Sequence, residues 1–113
     1  MVFPWKTLHQ LEDIDGIVRA SAFRPQVIFK HSTRCSISSI AKRRIEQAPT
    51  PEGIDFHYLD VIANSNISNQ IGTLFEVWHE SPQVLLIVDG ECIYDESHSG
   101  INMEEIVEQA YKK

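Results

Sequence analysis

Residues 26–48 read Q-V-I-F-K-H-S-T-R-C-S-I-S-S-I-A-K-R-R-I-E-Q-A, and this stretch decides the fold. Its first five residues, Q-V-I-F-K, form a short apolar run and predict a buried strand. H-S-T-R-C, residues 31–35, predicts a polar turn. S-I-S-S-I-A-K-R-R-I-E-Q-A, residues 36–48, predicts a helix. Ile37, Ile40, Ala41 and Ile45 share one face of that helix, and Lys42, Arg43 and Arg44 take the other. P-T-P-E-G, residues 49–53, stops it. A strand thus leads into a turn that ends on a cysteine, and a helix begins directly after.

Working outward, W-K-T-L at 5–8 predicts a short edge strand. Leu11, Ile14, Ile17 and Val18 fall at helical spacing, with Asp13 as the expected N-cap and Pro25 closing the segment. Ile54, Phe56 and Tyr58 alternate and predict a strand over 54–61. Residues 63–78 read as a helix after a turn at Asn64–Asn66. Residues 83–88, Q-V-L-L-I-V, suit a strand covered on both faces. Asp89-Gly90 is a hairpin signal, so residues 91–96 return antiparallel. S-H-S-G at 97–100 is a turn. Asn102 with Glu105 predicts a capping box for a last helix over 103–112. The order is (β)α–β–α–β–α–β–β–α. With a right-handed crossover, this predicts an α/β chain in the thioredoxin-like arrangement, with about four core strands flanked by helices.

The totals bound what such a chain does. With 113 residues, one domain over 1–113 is expected. The formal net charge of −6, with no run of Lys or Arg to offset it, makes nucleic acid and anionic membrane poor partners. Two cysteines are too few for a secreted disulfide scaffold. The opening residues lack a basic start and a long apolar run, and no stretch reaches the length of a membrane span. A reducing cytoplasm is the expected compartment, with both thiols free at rest.

Cys35 is the chemical centre of this reading. At the start of a long helix, unpaired backbone N–H groups and the helix dipole favour a thiolate. The thiolate is the reactive form of cysteine. The plainer alternative is a buried structural cysteine, but Cys35 sits among Thr33, Arg34, Ser36 and Ser38 in a polar turn. A dithiol C-x-x-C motif needs a cysteine at 38, and the residue is Ser38. Ser38 either hydrogen-bonds the thiolate from one turn along or is an ordinary helix serine. A lone thiolate is left with attack on a mixed disulfide, which moves a small thiol onto Cys35 until a second thiol removes it. Cys92 lies just past the Gly90 turn, at the far end of the strand that begins near Cys35. At ~3.3 Å per residue it falls ~20 Å away, beyond bridging distance, and reads as structural.

Other residues frame that thiol. Pro82 opens a central strand, a position that suits proline only where its missing N–H faces a loop. A cis Ser81-Pro82 bond would offer backbone groups to a bound thiol substrate, whereas a trans bond would simply end the loop. His31 is either a cation or base beside the thiolate or a satisfied strand-end histidine. Arg34 either holds an anionic group of a thiol co-substrate or is plain surface. Ser99, Gly100 and Asn102 precede the last helix and either hold a carboxylate or form a cap. A phosphatase cradle fails because position 41 is alanine rather than arginine. Zinc fails because the Cys and His are scattered, and no G-x-G-x-x-G or P-loop is present.

The run F29-K30-H31-S32-T33-R34-C35-S36-I37-S38 resembles the monothiol bacilliredoxin family along nearly the whole chain. E80-S81-P82 before an apolar strand and the H98-S99-G100-I101 turn carry the same likeness. The resemblance implies a thioredoxin-like fold and a thiol–disulfide oxidoreductase that removes bacillithiol from S-thiolated proteins. By position it makes Cys35 the nucleophile and Pro82 a cis-proline. It implies no resident cofactor, with bacillithiol as thiol co-substrate. Family members often carry proline directly after the cysteine, where this chain has Ser36. Two other functions remain open on the sequence. One is a non-catalytic binding or redox-sensing module. The other is an iron–sulfur carrier, since the C-x-x-S pattern is similar to that of monothiol glutaredoxins.

Overall fold

A computed structural model describes residues 2–112. The elements run β1 (Trp5–Thr7), α1 (Glu12–Ala20), β2 (Gln26–His31), α2 (Ser36–Gln47), β3 (Asp55–Asp60), α3 (Ser65–Phe75), β4 (Gln83–Val88), β5 (Glu91–Ser97), a short 3-10 turn (His98–Gly100) and α4 (Met103–Tyr111). Five strands form one sheet in the order β1-β3-β2-β4-β5. β1 and β2 lie parallel to β3, and the β2–β4 and β4–β5 pairs are antiparallel. The expected thioredoxin-like mixed sheet is present. W-K-T adds a fifth strand at its edge.

Alternation along the strands splits the core into two layers. Val27, Phe29, Phe56, Val84 and Leu86 face α2 and α4, where Ala41, Ile45, Met103 and Ile106 cover them. Ile28, Leu59, Leu85 and Ile87 face α1 and α3, meeting Ile14, Ile17, Ile67 and Ile71. The continuous apolar run at 83–88 follows from this, because β4 is covered on both faces. Asp89 and Gly90 both take positive φ, +51° and +78°, as a tight hairpin that follows the sheet's twist requires. No helix among the described residues is long and apolar enough to cross a membrane.

Two local expectations are corrected. Asp13 is the second residue of α1 rather than its N-cap; its carboxylate reaches back and accepts from the N–H groups of His9 (2.8 Å) and Gln10 (3.1 Å). Ile37 and Ile40 are about half exposed, at 52% and 50%. The buried stripe of α2 is Ser38, Ala41 and Ile45. Helical spacing groups residues on a face, but the sheet selects which face turns inward. Here the inward side carries the Ser38 hydroxyl, which meets His31 of β2.

Candidate functional site

β2 and β4 run in opposite directions, so the end of β2 and the start of β4 lie side by side. Lys30 is paired with Gln83. Beyond them, the turn carrying Cys35 and the loop carrying Ser81-Pro82 leave the same end of the sheet. Cys35 is the N-cap of α2, with extended backbone (φ −115°, ψ 120°). Its N–H donates to Ser32 O (3.2 Å), and its carbonyl accepts from Ser39 N–H (3.1 Å). The thiol is free and half-buried, while Thr33, Arg34 and Ser36 around it are exposed. The Ser81-Pro82 bond is cis. The carbonyl of Pro82 accepts from His98 N–H at 3.0 Å, tying the loop to the 3-10 turn. Ser81 Oγ is the one buried side-chain oxygen or nitrogen among the described residues without a hydrogen-bond partner. Such orphans are rare and call for an explanation.

His31 and Ser38 are brought together. His31 Nδ1 lies 2.7 Å from Ser38 Oγ, and Ser32 N–H donates to the same hydroxyl at 3.0 Å. The hydrogen bonds of Ser38 thus run to β2 and the turn, not to the thiol. His31 is buried, stacked on Phe29 and tilted against Tyr58. Burial, and next the positive charge of Lys42, hold its pKa below the usual histidine range. Its lowered pKa and its contact with Ser38 favour the satisfied strand-end histidine over a cation beside the thiol.

Ser99 and Gly100 lie in the 3-10 turn, docked on α2 by Arg44. One guanidinium nitrogen of Arg44 donates to Ser99 O (3.3 Å) and Ile101 O (3.2 Å). Asn102 caps α4 by accepting from Glu105 N–H at 2.9 Å. A Cβ at Gly100 would meet the Glu96 carboxyl at 2.5 Å, so glycine is what lets that acid lie against the turn. Between α2 and the turn runs a groove of 290 Å³ lined by Ile37, Ile40, Ala41, Arg44, His98 and Ser99. The sequence reading passed over Arg44 and His98 as site residues. Ile37 and Ile40 share a helix face with Ala41 and Ile45 by spacing, which held no sign that these two would stay open.

Cys92 faces the α1–α3 layer near the hairpin end, opposite Ile87 on β4. Burial pushes its thiol up to about 11, and Sγ donates to Tyr94 O at 3.4 Å. Four residue rises along β4, ~13 Å, already separate Ile87 from Gln83. Cys92 is a structural thiol in these surroundings.

Fold and site define a thioredoxin-fold thiol protein with one half-buried cysteine at a helix N-terminus, across from a cis-proline loop. The sequence profile described as monothiol bacilliredoxin BrxC matches residues 6–106, and the chain belongs to that family. A solved structure described as an oxidoreductase candidate with a thioredoxin fold is similar at 24% identity (TM-score 0.83, 94% of this chain and 93% of that one). The short form of spinach chloroplast thioredoxin f has 15% identity (TM-score 0.71, 95% and 90% covered). Thioredoxin from Trypanosoma brucei brucei has 15% identity (TM-score 0.71, 87% and 82% covered). These likenesses establish the fold. Membership of the bacilliredoxin family marks the chain as a thiol oxidoreductase acting on thiol or protein substrates.

Proposed function

We propose that the protein is a monothiol thiol–disulfide oxidoreductase that strips bacillithiol from S-thiolated proteins through Cys35. The Cys35 thiolate attacks the bacillithiol sulfur of the mixed disulfide. The Cys35–bacillithiol bond forms as the protein–bacillithiol bond breaks, and the released protein thiolate takes up a proton. A second bacillithiol, as its thiolate, then attacks the adduct. Free bacillithiol disulfide leaves and the Cys35 thiolate returns, so each protein thiol released consumes one free bacillithiol thiol, the other half of the disulfide coming from the mixed disulfide itself.

The observation that carries this reading is the isolation of Cys35 at the N-cap of α2. The sulfur takes no capping hydrogen bond there and stands among exposed residues of the turn. The place of a second active-site thiol is taken by Ser38, whose hydroxyl is engaged with His31 and Ser32. Further support comes from the unpartnered hydroxyl of Ser81 in the cis-proline loop and from the adjoining α2 groove. Arg34, exposed beside the thiol, is the nearest cation in sequence for an anionic group of the thiol co-substrate. Ser99 lines that groove, Gly100 follows it in the turn, and Pro82 is tied to the same turn through His98.

The test is intact mass after brief exposure to bacillithiol disulfide and, separately, glutathione disulfide. We expect one bacillithiol adduct on the wild type and none on Cys35→Ser, with glutathione reacting more slowly. An adduct on Cys92, or an internal Cys35–Cys92 disulfide in the folded protein, would defeat the monothiol mechanism. Equal rates with both disulfides would defeat the assignment of bacillithiol.

A further inference from the structure

Lys30 is fully buried, at 0% exposure, in the middle of the sheet. Lysine almost never occupies such a site without a carboxylate partner. None of the four ion pairs among the described residues includes it. Its ammonium instead donates to Ser68 O of α3 (3.3 Å) and lies 3.3 Å from His79 Nδ1. Ser68 Oγ is also 3.1 Å from that nitrogen. The cross-strand neighbour of Lys30 is Gln83, also buried. Gln83 Nε2 donates to Trp78 O (3.0 Å), and Gln83 Oε1 accepts from Glu80 N–H (3.3 Å). Two adjacent buried polar residues therefore hold three successive residues, 78, 79 and 80, of the loop that leads into Ser81 and Pro82.

We propose that Lys30 is a positioning residue for the Cys35 reaction, holding His79 and with it the 78–82 loop at the distance from Cys35 that a bound disulfide requires. The proposal rests on disulfide exchange at Cys35 as the function. The energetics argue for such a role. Burial pulls the Lys30 ammonium down to about 8, so the fold works against this charge. A methionine of similar length would fill the space without that cost. Natural sequences depart from locally favourable choices mainly where function demands it. Gln83 alone grips only backbone on either side of residue 79; Lys30 grips its side chain and joins the loop to α3 as well. A loop so held offers a fixed wall to an incoming disulfide, and positional errors near 1 Å at such walls are costly to rate.

The experiment compares the intact wild-type protein with Lys30→Met and His79→Leu in two reactions of Cys35. Exchange with bacillithiol disulfide needs both walls of the site. Alkylation by iodoacetamide needs only an accessible thiolate. We expect Lys30→Met to fold, to alkylate at the wild-type rate and to lose about tenfold in exchange, with KM for the disulfide raised. His79→Leu should follow in the same direction. Wild-type exchange in folded Lys30→Met overturns the proposal, and so does a parallel fall in alkylation, which would place the effect on the thiol itself. If Lys30→Met does not fold, exposed His79 decides: exchange lost with alkylation intact supports the proposal, and exchange intact overturns it. Absence of exchange in the wild type overturns the oxidoreductase reading and this inference together. Exchange equal in wild type and both variants overturns this inference alone.

Discussion

The two cysteines of this chain differ by surroundings rather than by exposure, since both are half-buried. Cys35 stands at a helix N-terminus in a polar turn. Cys92 points into an apolar layer where burial holds its thiol near 11. Under native conditions at pH 8, iodoacetamide should label Cys35 alone; Cys92 should react only as pH approaches 11 or after unfolding. Peptide mapping of the alkylated protein checks this, and early label on Cys92 would refute it. The paired residues His31 and Ser38 make a second prediction. Ser38→Ala removes the partner of both His31 Nδ1 and Ser32 N–H at a buried position. Leaving buried polar groups unpaired should destabilise the fold by about 1–3 kcal/mol. Urea titration reads this directly, and a change under ~0.5 kcal/mol would mean that water or a neighbour replaces the hydroxyl.

At the scale of elements, β2 is the organiser. Its residues alternate between the two layers, so Phe29 and His31 serve the α2 side while Ile28 and Lys30 serve the α3 side. The buried ammonium of Lys30 gives this strand a measurable signature. Its folded pKa, about 8, lies below the ordinary lysine value of 10.5. Between those values the unfolded chain binds a proton that the folded chain has released, so stability rises with pH across that window. Lys30→Met should erase that rise and should be at least as stable as wild type at pH 7. Chemical denaturation from pH 7 to pH 10.5 checks both. An unchanged slope would show that the ammonium is not the titrating group.

For the molecule as a whole, a second polar cluster lies at the end of the sheet away from Cys35. His57 Nε2 is 2.7 Å from Gln26 Oε1, and Gln26 Nε2 donates to Asp55 Oδ2 at 2.8 Å. Asp55 also pairs with Lys6 and Arg24, joining β1, β2 and β3. Burial, and next Lys6, bring His57 down to about 4. A histidine depressed in the fold binds its proton first in the unfolded chain. Stability should therefore fall as pH drops from about 6.5 toward 4. His57→Gln should flatten that limb, leaving the later loss due to carboxylates such as Asp55, whose folded pKa is held low. Thermal unfolding from pH 4 to pH 7 measures it, and an identical acid limb in the variant would assign the loss elsewhere.

The element order, the hairpin at Asp89-Gly90, the cap at Asn102 and a cysteine opening a helix were all legible in the sequence. Each depends on residues within a few positions of one another, where period, turn chemistry and capping act. The family likeness was legible too, because F-K-H-S-T-R-C-S-I-S is contiguous. Tertiary structure alone decided the rest. Helical spacing put Ile37, Ile40 and Ala41 on one face, but only docking against the sheet settled that Ser38, Ala41 and Ile45 turn inward and that Ile37 and Ile40 line a groove. The polar contacts around the site join residues far apart in the chain: Lys30 to Ser68 and His79, and Arg44 to the turn before α4. A lysine in a strand carries no local mark of what it meets across the sheet. Its partners are fixed by strand register and by the α3 crossover, and those exist only once the chain has closed.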